Sequence, residues 1–460
     1  MLLSIAKLVS PGGFSFCPIS SKISWTTASS LQSTQNRVNN PMYLIKGITV
    51  SAVAMAVPAW MLIGVEGPTE ALFSQYLGLA ALVAMALSQL IATRAWFVEP
   101  IFGALDRAYI LHKWLGICAL AAILLHDSID AEIKSLGRGT ALTDLADGMG
   151  EQSYNGLLIL IAITLITFIP YRLWYWTHRA MGVCFVLGAF HFAFILKPFS
   201  NVDPVGIYVL AFCAIGTAAY VYTLLPRSWR RGRMYTVVSV QKTGSALAIT
   251  MVPESRVIRH RAGQFAFFSL ESQGRVETHP FTISSAPQPN GTLRISVAAL
   301  GDYTKWLSEN LQKGMRFRVH GPYGRFVLRR RKSPQVWIAG GIGITPFLSW
   351  LDTIAPDGSP IDLIYTFRGH ASAAHLSELK QKALEKPRVN LHLFDTQTGP
   401  RIDKGTLARI TKGKKSHVAF CGPLKLRQSI CETSLSRPVQ FEEFEIRTGL
   451  PYMGFVAQIG

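Results

Sequence analysis

Four histidines inside two apolar segments constrain this chain more than any other feature. His112 and His126 stand in YILHKWLGICALAAILLHD, fourteen residues apart, and His178 and His191 in THRAMGVCFVLGAFHFAF, thirteen apart. At a helical rise of ~1.5 Å per residue, each pair is separated by about 20 Å along its axis, within a hydrocarbon core ~30 Å thick. A lone intramembrane histidine is as often a packing residue as a ligand. Four of them, paired on two segments at matching depth, argue for a shared purpose, because ionisable groups in a bilayer are costly and mark function. Two such helices side by side can clamp two stacked metal centres. Imidazole is a common axial ligand of haem iron, and no nearby Cys or carboxylate set suits zinc or a di-iron centre. Bis-histidyl haem is therefore expected, with one geometric difficulty. At ~100° per residue, fourteen positions return to within about 40° of the same face, but thirteen miss by about 140°. The second helix needs a distortion such as a π-bulge, or its two centres approach from different sides.

The apolar residues are unevenly spread, filling about 43–225, whereas 227–460 reads as a soluble α/β protein. Six membrane spans are expected at about 43–64, 71–93, 108–126, 154–171, 178–196 and 204–225. The net charge of +19 does not indicate nucleic acid, because the basic residues cluster beside these spans. Arg94, Arg107, Arg172, Arg179 and the group Arg227, Arg230, Arg231 and Arg233 place the N-terminus, two loops and the soluble half in the cytoplasm. Spans three and five then both run outward, so His112 pairs with His178 at the inner depth and His126 with His191 at the outer. The opposite face is acidic. Glu66 and Glu70 lie in its first loop, and the loop expected at 127–152 carries Asp127, Asp130, Glu132, Asp144, Asp147 and Glu151. That bias is the usual complement of positive-inside, and it also suits attraction of a cationic acceptor. Residues 1–41 are polar and read as a disordered or over-long N-terminal extension. The six cysteines form no C-x-x-C pair, which argues against an iron–sulfur cluster or zinc site.

From Tyr235 the pattern changes to short alternating strands, expected to form an antiparallel β-barrel over 232–330. After Pro334 it becomes a βα alternation, expected to form a parallel-sheet nucleotide-binding domain over 334–460. The fold class is thus multidomain: an all-α six-helix bundle over 42–226, then the barrel and the α/β domain. Within the barrel, HPFTISSAP (from His279) offers hydroxyls and backbone donors beside an aromatic ring, which suits a flat heteroaromatic cofactor. Gly301, Asp302, Tyr303 and Thr304 open a helix whose free N–H groups could hold an anion or simply form a cap. AGGIGITP, with Gly340, Gly341, Gly343, Thr345 and Pro346, follows a strand and opens a helix, the arrangement that lets backbone approach a pyrophosphate. Arg368 ends the next strand and Arg401 is a second candidate. A cation there with no acidic residue suits the 2′-phosphate of NADPH over NADH.

HPFTISSAP, GDYT, GPYG, GGIGITP and CGP occur in the order seen in the ferredoxin–NADP reductase-like module. Joined to six spans with paired histidines, the whole resembles the ferric reductase/NADPH oxidase superfamily in its bacterial form, over roughly 43–447. The resemblance implies FAD at His279, Pro280, Phe281, Thr282 and Ser284 and at Gly301 to Thr304. It implies NADPH at the glycine-rich turn, at Arg368 and Arg401, and at Cys421, Gly422 and Pro423, and two b-type haems on the four histidines. Family members often place a C-terminal aromatic over the flavin, for which Phe444 is the candidate, with Tyr452 and Phe455 as competitors and Cys421 beside the nicotinamide. No other catalytic residue is expected, since cofactor placement does the chemistry. An aromatic between the haem histidines of span five is typical of the oxidases, whereas Cys184 occupies the nearest position here, with Phe185 beside it.

What the resemblance implies is an integral protein, of the bacterial inner membrane, with its flavin and nucleotide module in the cytoplasm. It would pass electrons from NADPH or NADH through FAD and two haems to an acceptor on the outer face, without an obligate protein partner. Ferric complexes and dioxygen are both compatible with that plan. Oxygen-reducing relatives tend to carry an arginine in span one and a second histidine one turn past the outer ligand. Here those places hold Lys46 and Asp130, which tilts the expectation toward a ferric reductase, with superoxide production as the alternative. A conduit to a quinone or a periplasmic partner is a further alternative.

Overall fold

The computed structural model describes residues 41–129, 139–165, 171–225, 232–271, 277–329, 331–412, 416–423, 425–427 and 439–441. The N-terminal half is helical. Helices α1 (Pro41–Met61), α2 (Thr69–Ala92), the short α3 (Val98–Phe102), α4 (Leu105–Ser128), α5 (Ala141–Leu165), α6 (Tyr171–Phe194) and α7 (Pro204–Leu224) follow one another. Among the described residues, three of these, α2, α4 and α7, are long and apolar enough to cross a membrane. α2 is the hub, packed against α1, α4 and α7. Its buried Ala80, Ala81, Ala84 and Ala86 let neighbouring backbones come close, which is how helices associate where lipid offers no hydrophobic drive. The histidine helices have different principal neighbours: α4 lies on α2, and α6 on α5.

Two features differ from the sequence reading. α6 is α-helical along its whole length, so His178 and His191 leave it from faces about 140° apart, without the distortion that one shared face would need. The acidic segment expected as a loop to 152 is helical from Ala141, which lengthens α5 to 25 residues. Thr140 starts this helix, its carbonyl accepting the amide of Asp144 at 3.0 Å. Hydropathy misses the extra turns because Asp144, Asp147 and Glu151 are exposed while Ala146, Ser153 and Leu157 are buried.

The barrel has six strands: β1 (Arg233–Thr243), β2 (Ala246–Pro253), β3 (Phe265–Leu270), β4 (Thr278–Thr282), β5 (Leu293–Ala298) and β6 (Arg316–Tyr323). Their antiparallel order is β4-β3-β6-β1-β2-β5, and a bridge between Ile283 and Ile295 brings the two ends together. Tyr235, Ile249, Phe268 and Phe317 fill the interior, with α8 (Asp302–Asn310) over one end. The last domain is a parallel sheet, with strands β7 (Gln335–Gly340), β8 (Ile361–Phe367), β9 (Val389–Asp395), β10 (His417–Cys421) and β11 (Val439–Phe441) in the order β11-β10-β7-β8-β9. Helices α9 (Thr345–Leu351), α10 (Leu376–Leu384) and α11 (Lys404–Thr411) connect them. The order reverses beside β7, so the crevice between the ends of β7 and β10 is where such a sheet binds ligands.

Candidate functional site

The four histidines are held by backbone. His112 Nδ1 lies 3.0 Å from the carbonyl oxygen of Ser88, His126 Nδ1 2.8 Å from that of Ser74, and His191 Nδ1 2.9 Å from that of Ala146. A carbonyl only accepts, so Nδ1 carries the proton in each and Nε2 keeps the lone pair that a metal needs. Ser74 Oγ adds a second contact to His126 at 2.8 Å. His178 is different: its Nδ1 is buried without a partner, and its ring stacks on Trp174 at 5.0 Å and 11°.

The rings of His112 and His178 are spaced to fit an iron. Metal–nitrogen bonds of about 2 Å, plus about 1 Å from each nitrogen to its ring centre, would need about 6 Å between the two rings. The centroids of His112 and His178 are 6.1 Å apart. His191 and His126 lie within electrostatic reach of each other. Glycines border the outer rings: a Cβ at Gly78 would stand 3.4 Å from His126 Nε2, and one at Gly150 would run into the His191 imidazole. Among the described residues no cluster of three or more His, Cys, Asp or Glu could hold a metal instead. In mid-span, Ser153 Oγ donates to the Cys184 carbonyl at 2.8 Å, and Phe185 is buried against Gly216.

The barrel docks on the helices at the His112 end. Phe265 and Phe267 of β3 pack with Leu105 and Tyr109 of α4 and with Tyr323. Arg94, which leaves α2 in the left-handed region at φ 53°, lays its guanidinium over Phe267 at 4.1 Å and bonds the Tyr109 hydroxyl. The Tyr323 hydroxyl donates to the Arg94 carbonyl at 3.2 Å. Glu99 on α3 accepts from the amides of Gly324 at 3.0 Å and Leu105 at 3.2 Å, and its carbonyl accepts from Arg325 at 2.9 Å. Burial raises the Glu99 carboxyl above the ordinary carboxylate range, although these amides and Arg325 pull the other way. From Leu105, His112 is two helical turns along α4, or ~10 Å. Sequence reasoning did not find this contact, because nothing in the motif GPYG or in a loop between spans names the other as its partner.

The flavin motif lies beside this dock. β4 pairs with β3 in a register that sets Pro280 opposite Phe267 and Thr282 opposite Phe265. Directly opposed residues share a face, so Pro280 and Thr282 stand on the docking side. His279 faces the other way and stacks on Tyr303 at 4.0 Å, with Glu277 3.0 Å from its Nε2. Burial lowers the His279 pKa, partly offset by Glu277, which favours the neutral ring. The start of α8 is partly self-capped: Thr304 Oγ1 accepts from the amides of Gly301 at 2.9 Å and Leu300 at 3.0 Å. Those two donors serve the cap, while the side of Gly301 where a Cβ would point is open. Ser284 is turned inward, fully buried, with its hydroxyl 3.1 Å from Ser296 Oγ. Phe444 lies outside the described residues, as do Tyr452 and Phe455.

The nucleotide residues gather at the carboxyl edge of the parallel sheet. Residues 341–344 form a tight turn leading into α9, in which Thr345, Pro346 and the strand below are buried. Gly341 has φ 54° and open space beside it, whereas a Cβ on Gly343 would collide with the Cys421 carbonyl. Gly340 approaches Pro423 and Gly422 as closely, so the turn and the end of β10 interlock. Such a cradle admits a pyrophosphate against bare backbone. Arg368 is exposed just past β8, and Arg401 is exposed in the segment before α11. The expected lack of an acidic residue here does not hold: Asp395 ends β9 opposite Phe367. Its carboxylate is engaged by the amides of Gly369 at 2.7 Å and Gln397 at 2.9 Å, which hold its pKa below the usual range.

Comparison with known proteins agrees with this division. Residues 77–189 match the family described as ferric reductase like transmembrane component, 232–327 match the FAD-binding domain, and 337–432 match the oxidoreductase NAD-binding domain. The chain thus joins a ferric reductase-like transmembrane domain to an FAD- and NAD-binding reductase module. This ferric reductase-like chain is 28% identical over 190 residues to a flavohemoprotein of Deinococcus radiodurans, covering 39% of this chain and 47% of that one. It is 29% identical over 175 residues to the glycine betaine monooxygenase reductase subunit of Chromohalobacter salexigens, covering 36% and 48%. It thus spans about half the length of these curated relatives. Among solved structures, the flavohemoglobin from Malassezia yamatoensis aligns with a TM-score of 0.46 at 18% identity, covering 82% of this chain and all of that one.

Proposed function

We propose that this chain carries electrons from cytoplasmic NAD(P)H, through FAD and two b-type haems, across a six-span membrane domain to an acceptor on the far side. The observation that carries the reading is the dock. The barrel face that carries Phe265 and Phe267, opposite which Pro280 and Thr282 stand in register, is seated on α4 about two turns from His112. When bound, FAD supplies the exchange between two-electron and one-electron chemistry, and haem supplies conduction through the bilayer. The chain's own residues do the rest. His112 and His178 would ligate the inner iron and His126 and His191 the outer, with carbonyls of α2 and α5 orienting three of the four rings. The interlocked glycines of 340–343 and 422 present backbone to the pyrophosphate. Arg368 and Arg401, with the Asp395 carboxylate occupied by backbone amides, favour the phosphate of NADPH.

The acceptor we favour is a ferric complex. α5 is ~37 Å long, more than a hydrocarbon core requires. Its N-terminal turns expose Asp144, Asp147 and Glu151 beside Ala146, whose carbonyl holds the outer His191. A carboxylate stripe there draws a cationic acceptor toward the outer centre. The experiment is a difference spectrum with haem and FAD quantitation on purified protein, followed by NADPH-driven ferric-chelate reduction under argon. Cytochrome c reduction sensitive to superoxide dismutase, with no anaerobic iron activity, would reverse the choice in favour of dioxygen.

A further inference from the structure

A closed ring of polar side chains, two buried and two partly exposed, joins the barrel to the nucleotide domain. Ser296 on β5 is 4% exposed and His375, at the start of α10, is 2% exposed. Ser296 Oγ lies 2.8 Å from His375 Nε2, and His375 Nδ1 lies 2.7 Å from Glu378 Oε2. The other carboxylate oxygen of Glu378 accepts from Arg294 Nη2 at 2.9 Å, which returns the ring to β5. The carboxylate only accepts, so Nδ1 is the donor, and Nε2 shares a second bond with the Ser296 hydroxyl. Glu378 is held at about 2: burial alone would raise it, but the His375 bond and the Arg294 guanidinium outweigh that.

The order Ser–His–Glu looks like a nucleophile relay, but a serine this enclosed meets no substrate. Its place suggests another use. His375 adopts φ 56°, which a side chain other than glycine or asparagine rarely takes, and its amide donates across the boundary to Thr243 Oγ1 at 2.7 Å. Strain kept in place by partners from the other domain marks a position the fold is built to hold. β5 also lies against the 341–344 turn, so whatever fixes β5 to α10 fixes how the nucleotide cradle faces the barrel.

We propose that the ring of Ser296, His375, Glu378 and Arg294 is a positioning latch that sets the nucleotide domain against the flavin barrel for hydride transfer. The proposal rests on the reading that NAD(P)H reduces FAD in this chain. Hydride transfer needs reacting atoms ~3–3.5 Å apart, and a displacement of about 1 Å costs about a hundredfold. A latch that lets the domains shift by part of that slows the step about tenfold.

Two substitutions cut the same bond from opposite sides. Ser296→Ala removes the hydroxyl. His375→Asn keeps a residue that tolerates the left-handed backbone and still offers an amide to Glu378. In full-length protein in detergent, anaerobic stopped-flow bleaching of the flavin by NADPH should show each variant about tenfold slower at saturation, with the half-saturating NADPH concentration unchanged. The double variant should be no slower than the slower single one, because one bond is lost in all three. Hydrogen exchange supplies an arm that needs no nucleotide: the Ser245 amide, which crosses to the Ser372 carbonyl at 3.3 Å, should lose protection about fivefold in each variant. Amides inside β7 should not change. Unaltered exchange overturns the latch, and altered exchange with an unaltered bleaching rate overturns its positioning role. A wild-type flavin that NADPH fails to bleach sinks the functional reading instead, and the exchange comparison still decides whether the latch exists.

Discussion

Glu99 offers the sharpest test of how the barrel is coupled to the membrane helices. Its carboxylate receives two backbone amides, from Gly324 of the barrel and Leu105 at the start of α4. Glu99→Ala strands both donors. Only the Gly324 amide crosses the dock, and leaving that buried donor unsatisfied costs about 1–3 kcal/mol. At about 1.4 kcal/mol per factor of ten, the docked-to-undocked ratio falls about 5- to 140-fold. Glu99→Gln should behave differently, since its amide oxygen can still accept both bonds. The sign of the pH effect follows from burial. A folded pKa raised above the ordinary glutamate value of 4.5 means that docking is strongest below that value and weakens as pH rises through the raised one. Glutamine carries no charge to desolvate, so the glutamine variant should lose this pH dependence. The assay is two-stage stopped flow: flavin bleaching by NADPH, then growth of the reduced-haem band. Ala should leave the first stage intact and slow the second, and Gln should leave both near wild type. Haem reduction at the wild-type rate in Glu99→Ala, with Gly324 and Leu105 amides still protected, would refute the claim that this clamp holds the dock.

Further outcomes follow from the same geometry. His126→Ala should lose one of two haems in a pyridine hemochrome assay and abolish ferric reduction, while flavin bleaching by NADPH is unchanged. Gly150→Ala should do nearly the same without touching a ligand, because its Cβ displaces the His191 ring. Gly343→Ala forces apart the turn and the Cys421 carbonyl; NADPH-driven bleaching should drop more than about tenfold while dithionite still reduces the flavin. Arg368→Ala should raise KM for NADPH about tenfold and leave KM for NADH nearly unchanged, consistent with one lost charged hydrogen bond. For the interdomain latch, Glu378 is depressed to about 2, so its stabilisation is complete above the ordinary glutamate value of 4.5 and fades as pH falls toward 2. The groups facing it are Arg294, His375 and Lys382, and Glu378→Gln should flatten this acid limb of the exchange profile.

Much of the architecture was legible because it follows from periodicity. The switch from long apolar runs to alternating strands at Tyr235, and to βα units after Pro334, reflects how each element buries its apolar side. The start of α5 was not legible, since a hydropathy window averages Asp144, Asp147 and Glu151 with the buried face behind them. The four histidines stood out because charge is rare in such segments. Their partners did not, because a backbone carbonyl has no sequence signature: Ser88 and Ala146 contribute main chain, where any residue would do, while Ser74 adds its hydroxyl to its carbonyl. Ser284 shows what a motif leaves out: it lies just past the end of β4, fully buried, and its hydroxyl reaches Ser296 Oγ of the interdomain network at 3.1 Å.

The carbonyl contacts also explain why α2, which bears no histidine, occupies the centre of the bundle. It supplies Ser74 to His126 and Ser88 to His112, fourteen residues apart, the same interval as the rings they hold. Two antiparallel or parallel helices with equal rise keep such a register only if they run side by side over that length, as α2 and α4 do. Helix α6 has no such rail. Its outer ring is held from α5, and its inner ring by stacking on Trp174 of its own helix, with Nδ1 unpartnered. The thirteen-residue spacing that looked anomalous is thus accommodated without bending α6. His191 and His178 need not share a face when they are not held by a common neighbour, and each is aimed by whatever lies beside it. On this reasoning Ser88 is replaceable by alanine with little change at Nδ1 of His112, whereas Ser74→Ala also removes a hydroxyl contact to His126, and a proline at either position, by kinking α2, would misalign both rings of α4 together.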